Sequence, residues 1–281
     1  MSKGKPQADS SGKNLRLRIA SALVLGTVAL AVTFLGGFAF RLFAAGAAAI
    51  VFHEWTAMHR PPVRAHAIFS RLALAVVLAP MLAGIEPPLS LAVAGAAILA
   101  VLLSGLLTAG GPWNAAGLAY ASLPALALAH LRGSDLPGLL AILFLYAVVW
   151  VTDIFAYFVG RALGGPKLAP SISPGKTWSG AVGGLLGGAA AGTALALAAG
   201  VRLPLTAVLV LALLLSAVSQ AGDLFESAVK RRQGVKDSGT LIPGHGGVMD
   251  RIDGLVAAAL GFYLFGMMYS GFVMPAGFFS R

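Results

Sequence analysis

The chain has 281 residues, of which 58% are hydrophobic and only 11% are charged, and its mean hydropathy is +0.87. This composition excludes an ordinary soluble domain and indicates a polytopic membrane protein, because lipid-facing helices must be apolar along their length. The net charge of +10 does not indicate nucleic-acid binding, since the basic residues lie beside apolar segments where anionic lipid is the nearer partner, and no nucleic-acid-binding motif is present. The absence of cysteine excludes disulfides and thiolate metal sites.

Apolar segments separated by Gly- and Pro-rich breaks are long enough to cross a bilayer, which takes about 17 to 25 residues. The sequence therefore predicts an all-α polytopic membrane protein with about nine transmembrane helices. The predicted segments are residues 17–36, 38–57, 68–85, 89–108, 113–131, 137–160, 179–200, 203–222 and 252–273. Residues 1–14 are predicted to form a disordered cytoplasmic tail, residues 15–135 the N-terminal transmembrane helices and residues 136–281 a C-terminal transmembrane catalytic region.

The basic residues predict the orientation of the chain in the membrane. If the N-terminus lies in the cytoplasm and successive segments cross the membrane in alternate directions, all but four of the 20 Lys and Arg residues fall on the cytoplasmic side. The exceptions are Arg41, Arg132, Arg202 and Arg281. Cytoplasmic loops of membrane proteins carry such an excess of Lys and Arg. We therefore expect a cytoplasmic N-terminus, an outside C-terminus and residence in a bacterial cytoplasmic (inner) membrane.

Four polar residues, His53, Glu54, His59 and His66, lie around the end of the second segment. Imidazole and carboxylate groups at this spacing are compatible with a metal cluster. A solvated cytoplasmic face explains them more simply and is the interpretation that we favour.

The sixth segment carries polar and aromatic residues on one helical face. Trp150, Asp153, Tyr157 and Gly160 follow one another at spacings of three and four residues, which places them on the same side of a helix. A carboxylate inside a membrane span costs roughly 2.5 to 3.5 kcal/mol on insertion scales, so Asp153 is expected to face a partner or a wet cavity. A structural interhelical hydrogen bond and a substrate-positioning role at a cavity wall both stay open.

The connection over residues 164–178 is too polar and too rich in proline to span a membrane. Ser173 followed by Pro174 predicts a helix N-cap with proline at the first helical position, which would present free N–H groups to an anion. The G-K-T sequence does not complete a phosphate loop, because Pro170 stands where that motif requires glycine, and this excludes a P-loop nucleotide hydrolase. Taken alone, the connection is explained equally well as a helix start with a snorkelling Lys176.

The seventh segment contains the glycine pairs 183–184 and 187–188. Small residues at such spacings allow transmembrane helices to approach closely. A contact between the two subunits of a dimer is our hypothesis for them.

Residues 227–253, here called the signature segment, concentrate charge and glycine in an otherwise apolar chain. Carboxylates are the ligands that Mg²⁺ prefers, and substrate phosphates commonly complete its shell, so Asp223 and Asp250 are predicted metal ligands. The cations expected to neutralise a polyphosphate or an anionic headgroup are Lys230, Arg231, Lys236 and Arg251. The glycines that would let backbone N–H groups approach phosphate are Gly244, Gly246 and Gly247. A polybasic surface patch would explain residues 230–236, but not the acids and glycines that follow.

The pattern S-x-V-K-R-x4-K-D-x-G-x2-I-P-x-H-G-G-x-x-D-R-x-D over the signature segment resembles that of phosphatidate cytidylyltransferases, also called CDP-diacylglycerol synthases. Three upstream patterns are similar to that family: W-x-x-D-x-x-A-Y-x-x-G over residues 150–160, S-P-G-K-T-W over 173–178 and G-D-L-x-E-S over 222–227. The resemblance covers residues 150–253, and the preceding half of the chain contributes only predicted helices. Ser179 departs from the family, which has a longer acidic or amide side chain at this position.

The resemblance implies that CTP reacts with phosphatidic acid to give CDP-diacylglycerol and pyrophosphate, in a multispanning homodimer within membrane lipid. It implies Mg²⁺ held by Asp223, Asp250 and Asp253, with a second cation such as K⁺ nearby. The implied catalytic residues are Lys230, Lys236, Asp237, His245, Asp250 and Arg251. The implied substrate-binding residues are Asp153, Ser173, Lys176, Thr177, Ser227, Arg231, Gly246 and Gly247. For His245, assistance to pyrophosphate departure and a structural role in the Gly turn both stay open.

Two other classes of protein fit the sequence less well. A CDP-alcohol phosphotransferase would act on a similar lipid, but its D-G-x2-A-R spacing is missing, because Asp253-Gly254 leads to Leu255-Val256. A transporter or flippase of anionic lipids would also need charge inside the membrane, but it does not need paired acids beside Gly-rich turns. Mg²⁺ dependence and incorporation of cytidylate distinguish the cytidylyltransferase from the transporter.

Overall fold

The computed structural model describes residues 8–59, 63–108, 110–242, 246–271 and 275–279. Nine α-helices occur in the described part of the chain: α1 (Ala8–Leu35), α2 (Gly37–Met58), α3 (Arg64–Ala83), α4 (Pro87–Leu107), α5 (Trp113–Arg132), α6 (Leu136–Leu163), α7 (Trp178–Ala198), α8 (Leu205–Arg232) and α9 (Met249–Ser270). A short antiparallel hairpin of β1 (Lys167–Ala169) and β2 (Ser173–Thr177) connects α6 to α7. A single 3-10 turn covers Gly277–Phe279.

Seven of the helices, α2, α3, α4, α6, α7, α8 and α9, are long and apolar enough to cross a membrane. This confirms the helical, multi-pass membrane class, although the hairpin shows that the chain is not purely α-helical. The apolar part of α1, Ala20–Leu35, is shorter than a full span. Helix α5 carries buried polar side chains at its two ends, Asn114 and Arg132. The count of nine spans and the orientation of the termini stay predictions.

Two helices depart clearly from their predicted bounds. Helix α1 begins at Ala8, so part of the predicted disordered tail is helical. Helix α8 continues past the predicted end of its apolar segment to Arg232. Glu226 and Lys230 form an ion pair of 2.8 Å one turn apart, and basic residues occupy the last turn, where they interact favourably with the helix dipole. The first part of the signature segment is therefore helix.

The N-cap of α7 differs from the prediction. Ser173 lies in strand β2, and α7 begins only at Trp178. The cap is Thr177, whose Oγ1 accepts a hydrogen bond of 3.1 Å from the Gly180 N–H. The sequence K-T-W places a good capping residue directly before an apolar run, and Ser173 pairs with Ala169 across the hairpin.

Glycines of α7 bring this helix into direct contact with α6. A Cβ atom at Gly180 would lie 2.6 Å from the Ala156 carbonyl oxygen, and one at Gly184 would lie 2.8 Å from that of Thr152. Gly187 and Gly188 are buried as well. The small residues thus serve packing within the chain, and a dimer contact at them stays a prediction.

Two hydrophobic clusters form the interior, and α9 joins them. One cluster lies between α6, α7, α8, α9 and the 3-10 turn, with Phe144 and Phe262 fully buried in it. The other lies among α2, α3, α4 and α5 and includes Met249, the first residue of α9. The first turn of α9 therefore contacts the N-terminal helices, and this contact positions the signature segment against them.

Candidate active site

A polar cavity of about 710 Å³ opens at the end of the bundle where α6 and α8 end and α7 and α9 begin. Its charged and polar lining residues are Asp153, Tyr157, Arg161, Lys167, Lys176, Thr177, Gln220, Asp223, Asp250, Arg251 and Asp253. We call it the polar cavity. Each of the four family-like regions of the sequence contributes to it, so residues far apart in the chain meet at one place.

Four carboxylates line the polar cavity, and three of them, one from each of three helices, form a cluster of like charge. Asp153 comes from α6, Asp223 from α8 and Asp253 from α9, and Asp253 interacts electrostatically with both of the others. Such a concentration of like charge is unfavourable unless cations compensate it. Lys176 forms an ion pair with Asp223, and both Lys176 and Arg251 interact with Asp153. The cavity therefore combines acids with cations, as a site for phosphate and metal must.

The predicted polar face of α6 lies at the polar cavity, as expected. Asp153, Tyr157 and Gly160 line the polar cavity, and Trp150 stacks on Tyr146 with ring centroids 4.9 Å apart. The side chain of Asp153 is exposed to the cavity. The buried interhelical hydrogen bond of this region is instead made by the preceding residue, Thr152, whose Oγ1 lies 2.7 Å from Ser216 Oγ.

A second cavity of about 510 Å³ adjoins the first and is lined mainly by apolar side chains of α1, α2, α5, α6 and α9. We call it the apolar groove. Asp153, Arg251 and Asp253 belong to the lining of both cavities. Charged groups therefore stand at the junction between a polar compartment and an apolar one, an arrangement that suits a ligand with a charged head and a hydrocarbon body.

Asp250 is held by a dense set of hydrogen bonds from α8 and from the α8–α9 connection. Its carboxylate accepts from Lys230 Nζ at 2.6 Å, from Ser238 N and Oγ at 2.9 Å each, and from Gly247 N at 2.8 Å. A carboxylate has about four acceptor sites, so protein donors occupy them in this structure. The metal-ligand role of Asp250 stays a prediction.

Lys230 lies between two carboxylates beneath the cavity. Its ammonium group is 2.6 Å from Asp250 Oδ1 and 2.8 Å from Glu226 Oε2, and Glu226 is fully buried. Buried ions are tolerated when they are paired, and removing one partner is costly because the other charge is left behind. The geometry gives Lys230 an anchoring function for Asp250.

Other predicted residues lie away from the cavity lining. Arg231 is exposed and donates to the Val235 carbonyl oxygen at 3.1 Å, which orders the end of α8. Ser227 Oγ donates to Asp223 Oδ1 at 3.4 Å. Among the described residues, those outside the lining are Ser173, Ser227, Lys230, Arg231, Lys236, Asp237, Gly246 and Gly247. His245 and Gly244 lie outside the described residues, so the two interpretations of His245 stay predictions.

The side chain of Ser179, where the sequence departs from the family pattern, is used locally. Its hydroxyl donates to the carbonyl oxygen of Gly164 and lies 3.0 Å from Thr177 Oγ1. These contacts join the end of α6 to the start of α7. Ser179 therefore connects the two ends of the hairpin that borders the cavity.

Glu54 contacts the signature segment, a contact that the sequence did not predict. Its side chain is 3% exposed, and it accepts hydrogen bonds of 2.8 Å from the N–H groups of Val248 and Met249. The expected solvated face holds for His53 and His59, which are exposed, but is wrong for Glu54 and for His66, which is buried beside Ser104. An acid near the end of an apolar span is itself a signal of a buried partner.

The carboxylates of the polar cavity fit a divalent cation that arrives with its substrate. Within the described part of the chain, no three His, Asp or Glu side chains come close enough to enclose an ion by themselves. Mg²⁺ typically takes one or two protein carboxylates and completes its octahedral shell with water and substrate phosphates. Asp223 and Asp253 supply oxygen atoms of this kind beside cations suited to phosphate.

These features define a class: helical membrane proteins whose charged cavity meets an apolar groove. The profile described as the Cytidylyltransferase family matches residues 16–269. A phosphatidate cytidylyltransferase of Brucella suis biovar 1 (strain 1330) is 50% identical over 276 residues, which cover 95% of this chain and 98% of that protein. One of Brucella abortus biovar 1 (strain 9-941) is 51% identical over 278 residues, covering 95% and 99%. One of Staphylococcus haemolyticus (strain JCSC1435) is 32% identical over 244 residues, covering 85% and 94%. The chain belongs to the cytidylyltransferase family.

Proposed function

We propose that this chain is an integral-membrane cytidylyltransferase that converts CTP and phosphatidic acid to CDP-diacylglycerol and pyrophosphate. The observation that carries this function is the junction of the polar cavity with the apolar groove at Asp153, Arg251 and Asp253. CTP is a water-soluble polyanion, whereas phosphatidic acid joins a phosphate to hydrocarbon chains. The relatives that match nearly the whole chain are named phosphatidate cytidylyltransferases, which agrees with this pairing of substrates.

The reaction requires two anions to approach each other. A phosphate oxygen of phosphatidic acid attacks the α-phosphorus of CTP, a new P–O–P linkage forms, and the bond from the α-phosphorus to the bridging oxygen breaks to release pyrophosphate. The attacking oxygen is already anionic, so no strong base is needed, and positioning with charge compensation supplies most of the rate. Lys176 and Arg251 line the polar cavity and are the cations that we assign to the phosphates.

Asp223 and Asp253 are the residues that would hold Mg²⁺ at this site. A bound Mg²⁺ would supply neutralisation of the developing charge on the phosphate oxygens. Asp153 would orient the headgroup at the entrance of the apolar groove, and the groove would hold an acyl chain. We further propose that Asp250 and Lys230 position the first turn of α9, that a second cation such as K⁺ binds nearby, and that the active enzyme is a homodimer.

The membrane and the facing of the site are also proposals. Because CTP is made in the cytoplasm and the cations predicted on the inner side surround the polar cavity, we place the site at the cytoplasmic face of the bacterial inner membrane. Addition of a membrane-impermeant thiol reagent to cells that carry Gly165→Cys, in a chain without natural cysteine, tests this. Labelling only after the membrane is permeabilised supports the placement, and labelling of intact cells contradicts it.

The reaction is tested with purified protein in detergent, phosphatidic acid, Mg²⁺ and CTP labelled with ³²P at the α-phosphorus. We expect label in a chloroform-soluble product and one pyrophosphate released for each lipid labelled. CTP labelled at the γ-phosphorus is the matched control and leaves the lipid unlabelled. Folded protein that transfers no label, but moves phosphatidic acid across vesicles without CTP, would instead be a transporter.

A further inference from the structure

Glu54, from the half of the chain without any family-like motif, is a buried acid that contacts the signature segment. We propose that Glu54 is a positioning residue of the active site, which holds the first turn of α9 and with it the groups that line the polar cavity. Its Oε1 accepts from Val248 N at 2.8 Å, and its Oε2 accepts from Met249 N at 2.8 Å. Glu54 therefore anchors α9 from a different helix.

Helix α9 has no side-chain cap of its own. The residue at its N-cap position is Val248, which makes no capping hydrogen bond. The first N–H groups of a helix lack partners within the helix, and a negative charge placed there interacts favourably with the helix dipole. Glu54 supplies both the acceptor and the charge, across nearly two hundred residues of sequence.

Gly247, which the sequence assigns to phosphate binding, lies directly against Glu54. A Cβ atom at this position would collide with Ser238 Oγ, which also contacts Glu54, and would lie 2.6 Å from both carboxylate oxygens of Glu54. The backbone of Gly247 is not among the glycines with positive φ, so other residues could adopt its conformation. Its N–H donates to Asp250 Oδ2 at 2.8 Å. Glycine is therefore required here to let Glu54 and Ser238 approach.

Glu54 and Asp250 share Ser238 as a hydrogen-bond donor. The hydroxyl of Ser238 lies 3.2 Å from Glu54 Oε2 and 2.9 Å from Asp250 Oδ2, and Ser238 N donates to Asp250 as well. The same small set of groups thus connects α2 to the residue that binds Lys230. Loss of Glu54 would loosen the turn that carries Arg251 and Asp253, and a misplacement of about 1 Å at a reacting centre can cost on the order of 10²-fold in rate.

The test compares Glu54→Gln and Glu54→Asp, with His53→Gln as the control, since His53 is the exposed neighbour on the same helix. Gln has a single acceptor oxygen for two N–H donors, whereas Asp keeps the charge on a shorter side chain. We expect kcat for cytidylyl transfer to fall roughly 10- to 100-fold in Glu54→Gln, while KM for CTP changes by less than about threefold. Glu54→Asp should retain more activity, and the control should match the parent.

Hydrogen–deuterium exchange supplies a reading that does not depend on activity. Peptides containing Val248 and Met249 should exchange faster in Glu54→Gln, and peptides of α6 and α7 should not change. A purely structural role would lower the thermal midpoint but leave kcat of the folded protein unchanged. Unchanged exchange at Val248 and Met249, or kcat within about twofold of the parent, would overturn the proposal.

The inference rests on the proposed function, and the two can fail separately. A parent protein without cytidylyl transfer contradicts the function, whereas transfer by the parent with unaffected Glu54→Gln contradicts only the positioning role. If Glu54→Gln does not yield monodisperse protein, Gly247→Ala tests the cluster of Glu54 and Ser238 from the other side, because its Cβ would collide with both side chains. There kcat at the level of the parent overturns the proposal, and a loss of at least tenfold without a change in KM for CTP supports it.

Discussion

The N-terminal helices α2 to α5 and the C-terminal helices α6 to α9 use polar side chains in different ways. In the N-terminal half, pairs of buried polar side chains bind each other: Asn114 donates to Ser70 at 3.0 Å, and Ser90 lies 2.8 Å from His130. In the C-terminal half, acids and cations face a cavity and only partly pair. Polar groups that satisfy each other stabilise a fold, whereas charges concentrated around a cavity are available to a ligand.

Glu54 is the exception that connects the two halves. It belongs to α2, but its partners Ser238, Val248 and Met249 belong to the signature segment. The N-terminal helices therefore do more than complete the bundle, because they hold the helix that brings Arg251 and Asp253 to the site. The predictions below separate residues that face the cavity from residues that support it.

The largest effect is expected for the carboxylates of the polar cavity. Asp223→Asn and Asp253→Asn should each reduce kcat by about 10²- to 10³-fold, since each removes a charge-stabilising group from the reacting centre. Folding should be little affected, because like charges are being removed from one place. Glu86→Gln, at the opposite end of the bundle, is the control. Activity of both variants within tenfold, with unchanged Mg²⁺ dependence, would contradict the metal assignment.

The second effect concerns stability beneath the cavity. Lys230→Met leaves Glu226 and Asp250 without their shared cation, and breaking a buried ion pair in this way costs on the order of 3 to 5 kcal/mol. Thermal unfolding in detergent should show a clear loss, and Lys230→Arg should keep most of the stability. An unchanged unfolding midpoint in Lys230→Met would show that the pair does not anchor Asp250.

The third effect tests the packing of α6 against α7. Gly184→Val places a side chain against the Thr152 carbonyl, where even a Cβ atom would lie 2.8 Å away, and overpacking of this kind typically costs about 1 to 3 kcal/mol. Gly95→Ala, in a helix position with open space around it, is the control and should be neutral or stabilising. Crosslinking of a dimer through residues 183–188 without any loss of stability in Gly184→Val would contradict the intrachain role.

The smallest effect separates two arginines of the signature segment. Arg231 is exposed and binds the Val235 carbonyl, so Arg231→Gln should change kcat/KM by less than about threefold, as exposed charges contribute little. Arg251 lines both cavities, and Arg251→Gln should lower kcat/KM by at least tenfold. Steady-state kinetics with CTP and phosphatidic acid measure both. Equal losses of kcat/KM in the two variants would show that lining the cavity does not distinguish the residues of the site from their neighbours.

The sequence predicts the helices well because the bilayer imposes one length and one composition on each span. It also predicts that Asp153, Lys176, Asp223 and Asp253 belong to one site, because these residues lie in patterns that resemble those of a known family. It does not predict where α8 ends, because the Glu226–Lys230 pair extends the helix beyond its apolar residues. The partner of Glu54 is equally hidden, since a contact between residues 54 and 249 depends on how the helices pack and not on any local pattern.

The most direct test of the central claim uses photoreactive substrates with the purified protein. Phosphatidic acid with a diazirine in one acyl chain and azido-CTP are crosslinked separately, and the modified peptides are identified by mass spectrometry. The junction at Asp153, Arg251 and Asp253 predicts acyl-chain crosslinks to α1, α2 and α6, and nucleotide crosslinks to the β1–β2 hairpin and α8. Acyl-chain crosslinks confined to α3 and α4, or nucleotide crosslinks at the Arg41 end of the bundle, would contradict it.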